Sequence, residues 1–349
     1  EHIRGFSHFR KGSSGGGSIR DRAGLLSIFP FIEQTEDIDF ANTIIKIAKK
    51  SEKAEPGYYE VKLANNIFAQ LSASTHVGFH RYSFPARAIQ KLYLNSRGAL
   101  SAEQKSETEL TGVLGSGASS RFFIMHFDQP IKKISFFENG NIQNSSAVAG
   151  KGGAILDFGE TKGEPLQVKV GVSLTSLERA RENLNAEVPH WKFDRCRKEA
   201  LAMWNKRLNA IKVEGDAEYK TIFYTALYHT CFLPVTTTDV DGSYPGLDQK
   251  THKADGYTHL DDYAFWDSFR TKYPLYGLAF PDIYKDIHHS LYDIYQQADN
   301  WNPFPDCDHA PHGYLFLNRG VNGYQPYSTC RHEHMLMVVT DAWTKGLSS

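Results

Sequence analysis

Hydrophobic and polar positions alternate along the first half of the chain. Tyr58-Tyr59-Glu60-Val61-Lys62-Leu63 has the period of two that puts successive side chains on opposite faces of a strand, and Gly78-Phe79-His80-Arg81-Tyr82-Ser83-Phe84 repeats it. Further β-rich runs are Arg121–Phe127, Ile134–Phe137, Ala154–Phe158 and Leu166–Val172. Turn signals stand between them at Pro56-Gly57, Asn139-Gly140-Asn141 and Lys151-Gly152-Gly153. Short strands punctuated in this way predict a β-sandwich over residues 1–175. From Ser176 the period changes. Ser176 is a candidate N-cap for a helix through Leu177–Leu184. Cys196–Ile211 predicts a second helix, with Leu201, Trp204, Leu208 and Ile211 on one stripe. Asp216–Cys231 predicts a third, with Tyr219, Phe223, Ala226 and Leu227 as its apolar stripe. Pro281–Ala298 carries Ile283, Ile287, Leu291 and Ile294, with Pro281 suited to the first helical position. His334–Lys345 is the last predicted helix, and Gly346 is placed to stop it. Strands followed by helices form a two-domain pattern, and no internal repeat is visible.

The length, 349 residues, accommodates two domains. A net charge of -1 gives no electrostatic footprint for nucleic acid or an anionic membrane. Aromatic residues make up 13%, which favours β-structure and carbohydrate contact, although ordinary cores also use them. The cysteines, Cys196, Cys231, Cys307 and Cys330, form no CxxC pair, which argues against a zinc ribbon or a thioredoxin-like motif. Cys307 and Cys330 could bridge in an oxidising compartment, which their spacing does not decide. No apolar run is long enough to span a membrane, and no signal peptide is visible. The chain opens at Glu1 without a methionine, so loss of a leader with a missing N-terminus is compatible with the sequence.

Candidate chemistry concentrates in Trp266-Asp267-Ser268-Phe269-Arg270, which follows Tyr257–Phe265 and precedes Lys272-Tyr273-Pro274-Leu275. A sugar site needs this mixture: aromatic faces stack on the apolar faces of a pyranose, while carboxylates and guanidinium groups hydrogen-bond its hydroxyls in pairs. The plainer alternative is an aromatic helix start with Asp267 and Arg270 as a buried pair. Gly12–Ser18 is a Gly/Ser loop and by itself reads as a connector. Asp306, Asp308, His309, His332, Glu333 and His334 raise the alternative of a transition-metal centre. No HExxH pattern is present, and His332-Glu333-His334 cannot put three side chains on one helix face, so polar helix-start residues are the preferred reading and no metal ligands are assigned. Trp301 is a further stacking candidate, with a packed core tryptophan as the alternative.

Several motifs in order give the chain a family likeness. These are Gly5-Phe6-Ser7-His8 before the Gly/Ser loop, Pro56–Val61, Leu71–Ser74, His80–Pro85, Val168–Ser173, Asn183–Pro189, Trp204-Asn205 with Ile211–Gly215, Phe223–His229, and Trp266-Asp267 to Arg270. Together they resemble glycoside hydrolase family 92, the calcium-dependent exo-acting α-mannosidases. Two places depart from the family pattern: the residues after His8, and Arg331-His332-Glu333-His334, where Gly-Asp-His is usual before a helix ending like Asp341–Gly346. The resemblance implies a β-sandwich (1–175), a helical linker (176–212) and the first part of an (α/α)6 barrel (213–349). It implies inverting hydrolysis of terminal α-linked mannose, with α-1,2 linkage preferred, on mannose-containing glycans, by a secreted or periplasmic protein. Inversion needs an acid and a base carboxylate roughly 6.5–9.5 Å apart. In the family these lie downstream of the Trp-Asp motif, so the general acid and base are expected beyond Ser349, and the chain is expected to be an inactive, poorly soluble fragment that stops inside the barrel. Calcium, an oxygen-seeking cation, would bind sugar hydroxyls and favour ring distortion, with no ligand identifiable here. The resemblance assigns substrate binding to Trp266, Asp267 and Arg270, with His8, Trp301, Glu333 and His334 as further candidates. Two rival readings are a non-catalytic carbohydrate-binding protein and a metal-dependent hydrolase using the His332–His334 cluster.

Overall fold

A computed structural model describes residues 2–3, 5–9, 25–32, 44–117, 120–138, 141–143, 147–261, 263, 265–299, 318–320, 323–325 and 333–347. The described residues divide into two compact units, the first running to Trp204 and the second starting at Asn205.

The first unit is β-structure overlaid by helix. Its strands are β1 (His2–Ile3), β2 (Phe6–His8), β3 (Leu26–Phe31), β4 (Ile45–Lys46), β5 (Lys53–Glu55), β6 (Tyr58–Lys62), β7 (Phe68–Ala73) and β8 (Val77–Ser83). There follow β9 (Ile89–Ser106), β10 (Glu109–Leu114), β11 (Arg121–Phe127), β12 (Lys133–Glu138), β13 (Asn141–Gln143), β14 (Ala147–Glu160) and β15 (Leu166–Ser173). All but β1 and β4 join one antiparallel network, in the order β13-β12-β14-β9-β10-β11-β15-β8-β7-β6-β5, with β2 and β3 added beside β9. β9 passes between layers. Leu26–Phe31 of β3 pairs with its first half, Glu109–Leu114 of β10 replaces β3 along its second half, and β14 accompanies both. Alternation then fills the interior. Phe123, Met125 and Phe127 of β11 meet Leu166, Val168 and Val170 of β15 and Leu92 and Leu94 of β9 in one core cluster. Each such ring or branched chain contributes about 1.5–3 kcal/mol by leaving water.

The sheet residues of opposite parity face helix. α1 (Leu177–Glu187) lies on β15 and β11, with Ala180 and Leu184 packed beside Ile124 and Phe79. Ser176 caps α1 as the sequence predicts, accepting from the Arg179 amide at 3.1 Å. Gly171 permits the close approach, because a Cβ there would lie 2.6 Å from the Ala180 carbonyl oxygen. α2 (Phe193–Leu208) starts earlier and ends earlier than predicted. Its stripe is also corrected: Phe193, Cys196 and Ala200 are buried, whereas Leu201 is exposed.

A second correction concerns Lys151-Gly152-Gly153. They make no turn but lie within β14, where the register against β9 shifts. A Cβ on Gly153 would come within 1.8 Å of the Leu94 carbonyl oxygen, so these glycines serve strand contact at a bulge rather than chain reversal. Pro56-Gly57 does turn the chain, with Gly57 at φ +82 between Glu55 and its partner Tyr58.

The second unit contains α3 (Ala217–Thr230), α4 (Phe265–Ser268), α5 (Lys272–Ala279), α6 (Pro281–Asp299) and α7 (Glu333–Thr344). A short antiparallel pair, β16 (Val235–Thr236) with β19 (Leu260–Asp261), encloses the hairpin of β17 (Ser243–Pro245) with β18 (Thr251–Lys253) ahead of α4. Neither α4 nor α5 is predicted as a helix by the hydrophobic pattern. Tyr273, Tyr284, Ile287, Val338 and Ala342 form the centre of this core. The predicted stripe of α3 needs correcting, since Leu227 is buried but Ala226 is exposed and Tyr219 is 71% exposed. Gly346, at φ +66, follows α7 as the sequence predicts.

Candidate functional site

In the first unit, β2 carries His8 and β8 carries Gly78, His80 and Tyr82 on the face turned into the core. The His8 and His80 rings are stacked, 5.0 Å apart, with their Nε2 atoms 3.0 Å from each other. His80 Nδ1 is 2.6 Å from the Tyr82 hydroxyl. Gly78 leaves the room for His8, since a Cβ would fall 2.3 Å from its Cε1. Burial lowers the pKa of His8 to about 4 and that of His80 well below the ordinary histidine value, with the neighbouring His8 adding to the effect on His80, so both are neutral at pH 7. Beside them lies a cavity of about 510 Å³ whose lining includes Phe6, Leu71, Ser72, Ser74 and His76. Glu187 anchors its edge, accepting from the Ser74 hydroxyl at 2.5 Å and the His76 amide at 2.8 Å, with His76 Nδ1 at 2.6 Å. Burial pushes the Glu187 carboxyl upward, but the bonds from His76 and Ser74 outweigh it and hold it below its usual value.

In the second unit, α4 and α7 meet. Trp266 and Asp267 lie within α4, and Glu333 and His334 open α7. Phe269 links the two segments, its ring meeting the buried His334 ring edge-on at 4.4 Å. Arg270 lies 5.2 Å over the Phe269 ring. Asp267 and Arg270 are exposed, which overturns the alternative of a buried pair. The segments that carry Trp266, Asp267, Arg270, Glu333 and His334 thus meet at this helix junction. Their segment is fixed by phenols: Tyr263 donates to the Leu260 carbonyl and Tyr273 to the Tyr263 carbonyl, each at 2.5 Å. Phe265 stacks on Tyr263 at 5.0 Å. His8 belongs to the first unit. Trp301, residues 306–312, His332 and the pair Cys307 and Cys330 lie outside the described residues.

The motif reading overlooked a further cluster. Asp293 on α6 accepts from Tyr257 and, at 3.0 Å, from Tyr244 on β17. Gln297 donates to Tyr244 at 3.1 Å and accepts from the Leu247 amide at 2.7 Å. The His259 ring stacks on Tyr244 at 3.8 Å. Burial raises the Tyr244 pKa to about 12 and raises that of Tyr257, so both phenols remain donors. The only sequence signal was aromatic density, which does not identify a carboxylate partner thirty-six positions away.

Among the described residues, no group of three or more His, Cys, Asp or Glu could hold a metal ion. No helix among the described residues is long and apolar enough to cross a membrane.

The glycosyl hydrolase family 92 N-terminal domain matches residues 1–173, and the glycosyl hydrolase family 92 catalytic domain matches residues 179–316. The chain belongs to glycosyl hydrolase family 92. It is 24% identical, over 305 residues, to an uncharacterized secreted glycosidase of Arthroderma benhamiae, covering 75% of this chain and 39% of that protein. Its fold is shared with the family GH92 α-mannosidase BT3965 from Bacteroides thetaiotaomicron in complex with mannoimidazole, at TM-score 0.79, 22% identity and coverage of 93% of this chain and 44% of that one. It is shared equally with the GH92 inverting mannosidase BT2199 from the same organism, at TM-score 0.79, 22% identity and coverage of 92% and 43%. The chain spans about two fifths of the length of these relatives.

Proposed function

We propose that the polypeptide carrying this chain is an exo-acting, inverting α-mannosidase that releases terminal α-1,2-linked mannose from glycans outside the cytoplasm. The observation that carries this reading is the ordered match of both family 92 domains along the chain. The junction of α4 and α7 supports it, because Asp267 and Arg270 are solvent-accessible beside Trp266. In this reading Trp266 stacks on the terminal mannose, while Asp267 and Arg270 share its hydroxyls as acceptor and donor. Glu333 and His334 border the same subsite. The acid and base carboxylates, and the calcium ligands, come from outside the described residues.

The test is the mass of the natural polypeptide, followed by mannose release from α-1,2-linked mannobiose with and without chelator. A mass roughly twice 39.4 kDa and calcium-dependent release of β-configured mannose support the proposal. A natural mass near 39.4 kDa with sugar binding and no turnover replaces it with a non-catalytic carbohydrate-binding protein. Zinc-dependent hydrolysis abolished by His332→Ala replaces it with a metal hydrolase.

A further inference from the structure

β8 alternates, so Arg81 shares the Phe79 side of the sheet, opposite to His80 and Tyr82. A second cavity of the first unit, about 570 Å³, opens there. The Arg81 guanidinium is fixed from two directions: Nε donates to Gln70 Oε1 at 2.8 Å, and the group lies 4.2 Å over the Phe193 ring. Its other two nitrogens fork onto Asp194, Nη1 to Oδ2 at 3.0 Å and Nη2 to Oδ1 at 3.1 Å. The two partners differ in exposure, 21% for the Arg81 side chain and 69% for that of Asp194. The sandwich therefore holds the arginine, while its carboxylate stands in water on the first turn of α2. Trp191 lines the same cavity and is held from within by Lys169, whose Nζ lies 4.3 Å over the ring and donates to the Val188 carbonyl at 2.9 Å. The charges on the lining are Arg81, Lys192, Arg195 and Lys198 against Asp194. Arg195 is matched by Glu199 at 2.7 Å. Lys192 and Lys198 are exposed, and their ammonium groups make no hydrogen bond or ion pair among the described residues.

We propose that this cavity binds an acidic saccharide, a hexuronate unit of a glycan, whose carboxylate takes the Arg81 fork in place of Asp194. A guanidinium fork matches a planar carboxylate, and Asp194 already occupies it as an internal stand-in. The exchange costs little, because an ion pair with so exposed a carboxylate is weak. Once released, Asp194 remains on the first turn of α2, where a helix favours negative charge, with Lys198 four residues further on. Arg81 does not follow it, because Gln70 and Phe193 keep hold of the guanidinium. Trp191 then offers a ring to the apolar face of the pyranose. Gln167 donates its side-chain amide to Asp128 at 3.0 Å, which leaves its carbonyl oxygen to accept from a sugar hydroxyl. Lys192 and Lys198 provide charge for the rest of an anionic chain. The volume falls in the small-ligand range. None of the residues assigned to the terminal mannose lines this cavity. The carboxylate fork stands independently of the proposed mannosidase activity; the choice of a saccharide over an acidic peptide rests on that reading.

The experiment is calorimetric titration of the natural full-length polypeptide with methyl β-glucuronide at low ionic strength. Saturable binding that weakens as salt is added is expected, with none of the neutral methyl β-glucoside. Acetate, which has no ring for Trp191, is expected to bind at least about tenfold more weakly than the glucuronide. Arg81→Gln should weaken glucuronide binding by about tenfold or more, the size of a lost charge-assisted fork. Asp194→Ala should strengthen it about tenfold by removing the competitor, and should give no gain when Arg81→Gln is already present. A clamp that only fastens α2 to β8 predicts no gain from Asp194→Ala, and that result overturns the proposal. So does glucoside bound as tightly as glucuronide, or no glucuronide binding to either the wild type or Asp194→Ala. Poly-glutamate bound in place of the glucuronide transfers the site to an acidic peptide and overturns the saccharide. Because Asp194 is exposed, its variant keeps the test decisive if Arg81→Gln does not fold. Mannose release from α-1,2-linked mannobiose, measured on the same samples, is expected to be unchanged by Arg81→Gln. Release without glucuronide binding removes only this site, and glucuronide binding without release removes only the mannosidase.

Discussion

The sandwich unit buries mainly phenylalanine rings, such as Phe79, Phe123, Phe127 and Phe136, whereas the helical unit buries tyrosines: Tyr244, Tyr263, Tyr273, Tyr276 and Tyr284. Backbone demand explains the contrast. Strand ladders satisfy their own amides and carbonyls, so an apolar ring is enough between them. The helical unit has short elements and irregular joints whose carbonyls lack such partners. Its phenols supply them, Tyr276 reaching the Thr230 carbonyl at 2.8 Å and Tyr284 the Val338 carbonyl at 3.1 Å. Aromatic richness therefore has two meanings within one chain, and only the tyrosine kind fixes the segment that carries Trp266, Asp267 and Arg270.

Substitutions in each unit can break this comparison. Phe123→Ala in the sandwich is expected to cost about 3–5 kcal/mol, measured by denaturant unfolding, because the ring is wholly buried between ladders. Asp267→Ala in the complete enzyme is expected to lower kcat/KM by about 100-fold or more, with the melting temperature unchanged because the side chain is exposed. An equal loss of stability would instead make Asp267 structural. Tyr273→Phe removes one oxygen and leaves the Tyr263 carbonyl without that donor; destabilisation of about 1–3 kcal/mol confined to the helical unit is expected by hydrogen exchange. A silent Tyr273→Phe would refute the phenol account.

Acid should affect the sandwich through His8 and His80. Their folded pKa values are lowered, so between the unfolded value near 6.5 and the folded value of His8 near 4 the unfolded chain binds more protons. Stability is complete above the unfolded value and falls with pH through that window, by roughly 3 kcal/mol from His8 alone, and His8→Gln should flatten this part of the profile. The smallest effect is expected on the helical surface. Leu278 is 80% exposed and Trp343 73%. Trp343→Glu should change stability by less than about 0.5 kcal/mol while reducing self-association and hydrophobic-dye binding of the 349-residue chain.

What was legible in the sequence follows the same physics. Short β-rich runs such as Arg121–Phe127 and Val77–Ser83 were legible although both of their faces are buried, Phe123 and Tyr82 in one cluster and Ile124 and Phe79 in another. β9 gave no such signal, because Gln90, Lys91, Leu92, Tyr93 and Leu94 are all buried and the period of two disappears. β14 was obscured by Gly152 and Gly153, since a glycine needed for close approach looks the same in sequence as one needed for a turn. In α3, apolar spacing named a stripe, but spacing alone does not say what covers it. The Trp266–Arg270 cluster was legible by residue type and family likeness. Its meeting with His334 through Phe269 was not, because that contact joins residues sixty-five positions apart. The contact of His8 with His80, seventy-two positions apart, was hidden for the same reason.

The strand that serves both layers also sets a folding order. Along β9 and β14 the paired residues run from Glu103 with Ala147 to Ile89 with Glu160, so this ladder closes only across long stretches of chain. The hairpins β10–β11 and β12–β13 close over short loops and can form first. Because loop-closure entropy must be met before distant contacts return anything, the β9–β14 ladder is expected to assemble late and make the sandwich a slow folder. During that interval Leu92, Leu94, Ala154 and Leu156 stand unpaired, and it is then, rather than in the finished fold, that the first unit is most exposed to aggregation.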